Sequence, residues 1–368
     1  MVGAGFTGAV VAEQIAARTN STVLVVDRRD HVAGNAHDAR DPSGLLYHVY
    51  GPHIFHTNAD RIWQYLSGFT GWRPYEHRVL GLIDGRHVPI PFNLTSLDIL
   101  FPVGEATALR DMLIATYGYG SRVPIQQLMR ADDRRIGDLA RYIYERVFLG
   151  YTIKQWGVDP TALSPSVLAR VPVHVSYDDR YFQDTYQAIP ADGYTAMIGR
   201  MLDHPAIAVS LATDFRDLGP IDRYRAVVYT GQIDEFFDYI YGPLPYRSLH
   251  FDMRVYGQRQ HQLVGQVNYP NDQDFTRITE MSHLTGEWSD RTLVAVEYPR
   301  QHVPGKTIPY YPVPNDDNND LHRRYVELAK AEAPNVVFAG RLGEYRYYNM
   351  DQAVAAALVT AKKVLEKR

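Results

Sequence analysis

The run Gly3-Ala4-Gly5-Phe6-Thr7-Gly8 constrains this chain more than any other feature, because a G-x-G-x-x-G turn has very few folds in which it makes sense. It is followed by an Ala- and Val-rich helical stretch, Ala9 to Arg18, and then by Thr22 to Val26, T-V-L-V-V, a buried strand ending in Asp27. In a Rossmann unit the glycines allow a tight turn and close approach of a pyrophosphate to a helix N-terminus, and an acid about 20 residues on binds the ribose hydroxyls. Asp27 stands at that spacing, which argues against a 2′-phosphate, although Arg28 and Arg29 follow it directly. Only Met1 and Val2 precede Gly3, so most of a first strand is missing, as in a late-assigned start or a truncated chain. That predicts unpaired ladder groups on the neighbouring strands and lowered stability.

A second strand-to-helix junction lies near the other end. Val336 to Ala339, V-V-F-A, reads as a short buried strand, Gly340 ends it, and Asp351 to Lys367 reads as an Ala-rich helix. A domain whose first and last segments are both of this kind is discontinuous, with the rest inserted. Apolar residues recur at helical spacing over Leu97 to Tyr117 and Ile136 to Leu149, and Pro160, Pro165 and Pro172 then punctuate a loop. Phe251 to Tyr269 and Thr292 to Tyr298 alternate as strands do. Two such junctions far apart are what large two-part cofactors such as FAD commonly use, so the expected fold is α/β: a discontinuous Rossmann-like domain for such a cofactor (1–70, 186–235, 313–368), an inserted helical domain with a mobile loop (95–172), and an antiparallel β-sheet domain (72–94, 236–312).

Composition removes several functions. A net charge of −4 gives no general attraction for nucleic acid or anionic membranes. There is no cysteine, hence no disulfide, thiolate nucleophile or Cys-based metal site, which fits a cytoplasmic protein. No apolar run approaches the roughly 18 residues a spanning helix needs. No Tyr has a Lys four residues later, which disfavours a short-chain nucleotide-sugar epimerase. His53 and His56 are three apart, but a neutral ring satisfied by backbone is commoner than a ligand pair, so no metal is expected.

Gly150 to Gly157, G-Y-T-I-K-Q-W-G, reads either as an aromatic-rich helix end or as a wall on which a flat ring stacks, an interaction of roughly 1–3 kcal/mol per base. With G-P-H-I-F-H-T (51–57), T-R-I-T-E (276–280), I-P-Y-Y-P (308–312) and G-R-L-G-E-Y-R-Y-Y-N-M-D (340–351), in that order, it closely resembles the bacterial UDP-galactopyranose mutase family over nearly the whole chain. The resemblance implies FAD, active when reduced, and interconversion of UDP-galactopyranose and UDP-galactofuranose through a flavin N5–sugar adduct without net redox. It also implies a reductant such as NAD(P)H, a role in supplying galactofuranose for cell-wall polysaccharide, a homo-oligomer such as a dimer, and neither nucleic-acid binding nor membrane insertion. A flavin amine oxidase-like oxidoreductase and a non-catalytic UDP-sugar-binding flavoprotein are the alternatives.

Carried over residue by residue, the resemblance makes Arg170 and Arg277 the diphosphate-binding catalytic cations, a role for which a planar guanidinium fork is suited. It places Tyr151, Thr152 and Trp156 at the uridine, Tyr181, Tyr311 and Tyr347 at the phosphates, and Asn93 at the substrate. The cofactor would be held by Gly3, Gly5, Phe6, Gly8, Asp27, Arg28 and Asn35, with His53, His56, Arg341, Asn349 and Met350 on the flavin side. Where the family commonly has an aromatic, Val147 stands here with Phe148 beside it, and Asn349 replaces an acid of some relatives. The segment from Trp156 to Pro172 is expected to close over bound substrate.

Overall fold

Met1 to Gly3 runs as a short central segment of a parallel sheet, with Val2 bridging to Val26 on one side and Tyr229 on the other. Its backbone is bonded both ways, from Val2 N to Val228 O and from Gly3 N to Val26 O, each at 2.8 Å. Strand Val23–Val26 then pairs in parallel with Ile207–Ser210, and Val227–Tyr229 with Val336–Phe338. The expected loss of pairing therefore spares this level of the sheet. Next to Met1, whose ammonium donates to Leu24 O at 2.7 Å, Ser21–Leu24 and Ala226–Val228 line a cavity of about 350 Å³.

The computed structural model describes residues 1–160 and 171–366. The chain divides into two compact units, one made of residues 1–75, 184–248 and 302–368, the other of 76–183 and 249–301. In the first, helix Phe6–Arg18 has nine of its thirteen residues buried, as a helix laid on a parallel sheet must. Its Ala9, Val10 and Ala12 share a core with Met197 and Ile198 of helix Tyr194–Leu202 and Val354 and Ala357 of helix Met350–Glu366.

In the second unit the helical stretch and the sheet form one body, because Val79, Ile83, Val88 and Ile90 of the sheet bury against Leu97, Leu109, Leu113, Leu139 and Ile143 of the helices. Within this unit the sheet runs in the order 249–256 (the part of strand Tyr246–Tyr256 that falls in it), Thr292–Gln301, Arg277–Glu280, Gln266–Asn268, Val79–Ile83, Arg86–Ile90. It is mixed, since Gln266–Asn268 lies parallel to Val79–Gly81. The alternating stretch 251–269 is not one strand: the polar run after Gly257 separates two. Likewise Leu97 to Tyr117 spans two helices, Leu94–Leu100 and Val103–Tyr117. Pro102 lacks an N–H and forces Phe101 into extended geometry, so it starts the second helix after ending the first.

Candidate functional site

The dinucleotide cradle is shaped by what its glycines leave out. A Cβ on Gly8 would lie 1.8 Å from Gly3 O, and one on Gly3, at φ +102°, would lie 2.0 Å from Thr230 Oγ1. Gly5 is the N-cap of helix Phe6–Arg18 and makes no side-chain cap, so the helix's first amides keep their donors for an anion. Asp27 holds this turn, accepting from Ala4 N at 2.8 Å and Arg29 N at 2.9 Å. Each of its oxygens retains a lone pair for a ribose hydroxyl. Phe6 is buried in the core with its ring edge toward Tyr194, so it supports the turn through packing.

Arg28 is paired within the protein. Its guanidinium makes two bonds to Glu235, at 2.9 and 3.0 Å, on the outside of the fold. The neighbour, Arg29, turns inward: it donates to Asn35 Oδ1 at 2.8 Å and lies 4.4 Å over the Tyr50 ring. Its Nη1 is buried without a hydrogen-bond partner among the described residues. An orphaned guanidinium donor is costly unless an anion meets it, and a pyrophosphate at the helix N-terminus is such an anion. The residues present thus fit a dinucleotide. The sequence signal was the Arg-Arg pair after the strand, where successive side chains point to opposite sides.

The second junction lies against the first. Gly340, at φ +78°, leaves room for Thr7, whose Oγ1 would be 2.8 Å from an added Cβ. Arg341 donates to Tyr348 O at 2.8 Å and faces the rings of Tyr311 and Tyr347, 5.4 and 5.6 Å away. Those two rings stack on each other, 5.2 Å apart and 13° from parallel. A cofactor-side cation and two substrate-side phenols, assigned separately from the sequence, are therefore one cluster. Asn349 N donates to Gln352 Oε1 and its carbonyl accepts from Ala353 N, so it starts the helix that Met350 opens. Thr57 Oγ1 bonds Asp351 Oδ2 at 3.0 Å, tying G-P-H-I-F-H-T to that first turn. His53 Nδ1 lies 2.8 Å from Gly51 O, and His56, in strand Phe55–Thr57 and not on a helix, has Asp184 Oδ2 2.9 Å from its Nδ1.

In the other unit, helix Arg134–Ile143 loosens into a π turn, Tyr144–Leu149, and resumes as Gly150–Trp156. G-Y-T-I-K-Q-W-G is thus a helix, ended by Gly157 in the left-handed region at φ +70°. Thr152 and Trp156, one turn apart, are both buried, while Tyr151 is half-buried on another face. Val147 and Phe148 both go into the core. Arg277 is held by Glu297: Nε and Nη2 reach Oε2 at 2.8 and 2.6 Å, and Thr276 Oγ1 bonds Oε1 at 3.0 Å. Glu297, 1% exposed, was missed, although an acid inside the alternating V-A-V-E-Y strand was a legible signal.

Asn93 is buried at the start of a helix. It caps helix Leu94–Leu100 in a reciprocal box with Ser96, and its Nδ2 donates to Asp179 Oδ1 at 2.8 Å and Asp178 O at 3.3 Å. Its polar atoms are occupied by the fold, as an N-cap's are. Tyr181 is half-buried, its backbone N bonded to His77 O at 2.7 Å and its ring edge-on to His77 and Phe182. Arg170 and most of the loop expected to close over substrate, residues 161–170, lie outside the described residues.

Two glycine junctions on one discontinuous parallel-sheet unit, with a second unit of sheet and helices inserted, define a Rossmann-type dinucleotide-binding protein of the flavoenzyme fold. A family model for UDP-galactopyranose mutase matches residues 146–347, and one for NAD(P)-binding Rossmann-like domains matches 1–69. The chain is 39% identical to a probable UDP-galactopyranose mutase of Klebsiella pneumoniae, over 99% of this chain and 94% of that one. It is 33% identical to a dTDP-fucopyranose mutase of Escherichia coli, over 98% and 97%. The solved structure of a reduced UDP-galactopyranose mutase superposes with a TM-score of 0.73 at 16% identity, covering 100% of this chain and 93% of that one. A putrescine oxidase variant shares the fold at 0.57 and 13%, covering 99% and 98%. The chain belongs to the UDP-galactopyranose mutase family, whose members are isomerases. No helix among the described residues is long and apolar enough to cross a membrane.

Proposed function

We propose that this protein binds FAD and, with the flavin reduced, interconverts UDP-galactopyranose and UDP-galactofuranose without net redox. The observation that carries this reading is the full-length likeness to a mutase, which covers the cradle and the unit bearing G-Y-T-I-K-Q-W-G and T-R-I-T-E alike. When bound, the reduced cofactor supplies the nucleophile, N5, for the anomeric carbon, so no protein nucleophile is needed. The chain's part is binding, orientation and charge. The helix N-terminus, Arg29 and Asp27 hold the dinucleotide, and His53 and His56 approach the polar edge of the flavin. Tyr151 stacks on uracil beside Thr152 and Trp156. Arg277, held in place by Glu297, and Arg170 neutralise the leaving diphosphate, with Tyr181, Tyr311 and Tyr347 donating to phosphate oxygens. NAD(P)H or a similar reductant would charge the flavin.

The test is chromatographic: protein reconstituted with FAD, with and without dithionite, is given UDP-galactofuranose and, separately, dTDP-fucopyranose. The expected result is conversion of the UDP-sugar only after reduction. Equal turnover with oxidised flavin, or a colourless protein that cannot take up FAD, would overturn the reading. The dTDP-fucopyranose arm is included because the Escherichia coli relative is nearly as similar, and preferential turnover of that sugar would reassign the substrate.

A further inference from the structure

Lys154 lies on helix Gly150–Trp156, and its ammonium is surrounded by backbone carbonyls of a single turn. Nζ donates to Tyr269 O, to Gln273 O at 2.9 Å, to Phe275 O at 3.2 Å and, more weakly, to Asn271 O at 3.5 Å. These are alternate residues of one segment, so four carbonyl dipoles converge on one point. Oxygens arranged this way repel one another unless a cation sits among them, which is the arrangement by which backbone carbonyls replace the water around a potassium ion. The same turn is pinned to the helix twice more. A Cβ on Gly150 would lie 2.3 Å from Pro270 O, and Asn271 Nδ2 donates to Arg146 O at 3.2 Å. The turn closes with Tyr269 N bonded to Thr276 O at 2.8 Å, and the next residue is Arg277.

We propose that Lys154 is a positioning residue: its ammonium serves as a built-in monovalent cation that organises the 269–275 turn and so fixes Tyr151, Thr152 and Trp156 relative to Arg277. The proposal rests on the assignment of these residues to the UDP moiety. Lys154 does not touch reacting atoms in this scheme. Its consequence is specific: removal of the side chain leaves a carbonyl cage that a small free cation can fill.

Lys154→Ala and Lys154→Met, loaded with FAD, are compared with wild type by UDP titration and by amide hydrogen exchange over 146–157 and 268–277. Buffers contain methylammonium, potassium or tetramethylammonium at constant ionic strength. Loss of charge-assisted bonds in the turn is expected to weaken UDP binding by roughly ten-fold or more in both variants, with unchanged flavin absorbance. Exchange in both segments should rise. Methylammonium, and potassium to a lesser degree, should restore binding and protection in Lys154→Ala but not in Lys154→Met, whose methyl end occupies the space. Tetramethylammonium, too large for the cage, should restore nothing. Wild-type affinity and protection in Lys154→Ala, equal rescue by all three cations, or no rescue by any would overturn the proposal. If FAD-loaded wild type does not bind UDP at all, the uridine assignment falls, and the exchange measurement still decides the cage by itself.

Discussion

The two units solve the placement of a ligand-facing group in different ways. In the dinucleotide-binding unit the placement is done by backbone: Gly3, Gly8 and Gly340 stand where any side chain would collide, and the helix amides face outward as a result. In the other unit it is done by charge, with Glu297 clamping Arg277 and Lys154 tying a helix to a turn. A steric solution tolerates no added atom. An electrostatic one tolerates changes of bulk but fails when a single partner is removed, because the other is left buried and unpaired.

The sharpest way to break this comparison is Gly8→Ala. One methyl at 1.8 Å from a backbone oxygen cannot be relieved by a side-chain rotation, so the turn must open. The expected cost is about 3 kcal/mol or more, with flavin retention lost entirely. Retention of FAD at the wild-type stoichiometry, read by absorbance, would show that the cradle is softer than its geometry implies.

Arg277→Ala tests the other arm. It removes the proposed diphosphate cation and also strands Glu297, so stability should fall by about 3–5 kcal/mol in urea denaturation along with turnover. The double variant Arg277→Ala/Glu297→Ala should regain most of the stability and none of the turnover. A double variant as unstable as the single one would mean that the pair is not what couples the two losses.

Histidines provide a pH test in each unit. Complete burial holds His48 down to about 4, with the nearby Arg73 adding to the effect, and its Nδ1 accepts from His53 N. Burial does the same to His174, with Arg122 adding. A histidine whose folded pKa lies below its unfolded value of about 6.5 contributes stability above that pH and loses it as the pH falls toward the folded value. Each should therefore remove up to about 3 kcal/mol between pH 6.5 and 4. His48→Asn should flatten its share of that slope in urea titrations at successive pH values. An NMR titration of folded His48 with a midpoint near 6.5 would overturn the assignment.

The smallest effects separate adjacent arginines. Arg29→Met should weaken FAD binding by roughly 1.5–3 kcal/mol, since it removes a buried charged donor. Arg28→Met, which loses a half-exposed surface pair, should change FAD affinity little and stability by less than about 1 kcal/mol. Equal effects of the two substitutions would mean that the inward and outward assignments are wrong.

Much of this was already legible in the chain. The glycine turn with Asp27, the second junction at Gly340 and the helical and alternating stretches each depend on local sterics or periodicity, which a sequence displays directly. They determined the parallel-sheet unit and the class of ligand. The ordered motifs added the family. Tertiary structure alone decided which of two neighbouring arginines turns inward, because Arg28 is claimed by Glu235, 207 residues away. It alone decided that Asn93 is spent as a cap held by Asp178 and Asp179, that Arg277 is clamped by Glu297, and that Lys154 fills a ring of carbonyls. A side chain's role is set by the partner that meets it, and these partners come from distant segments whose approach no local pattern encodes.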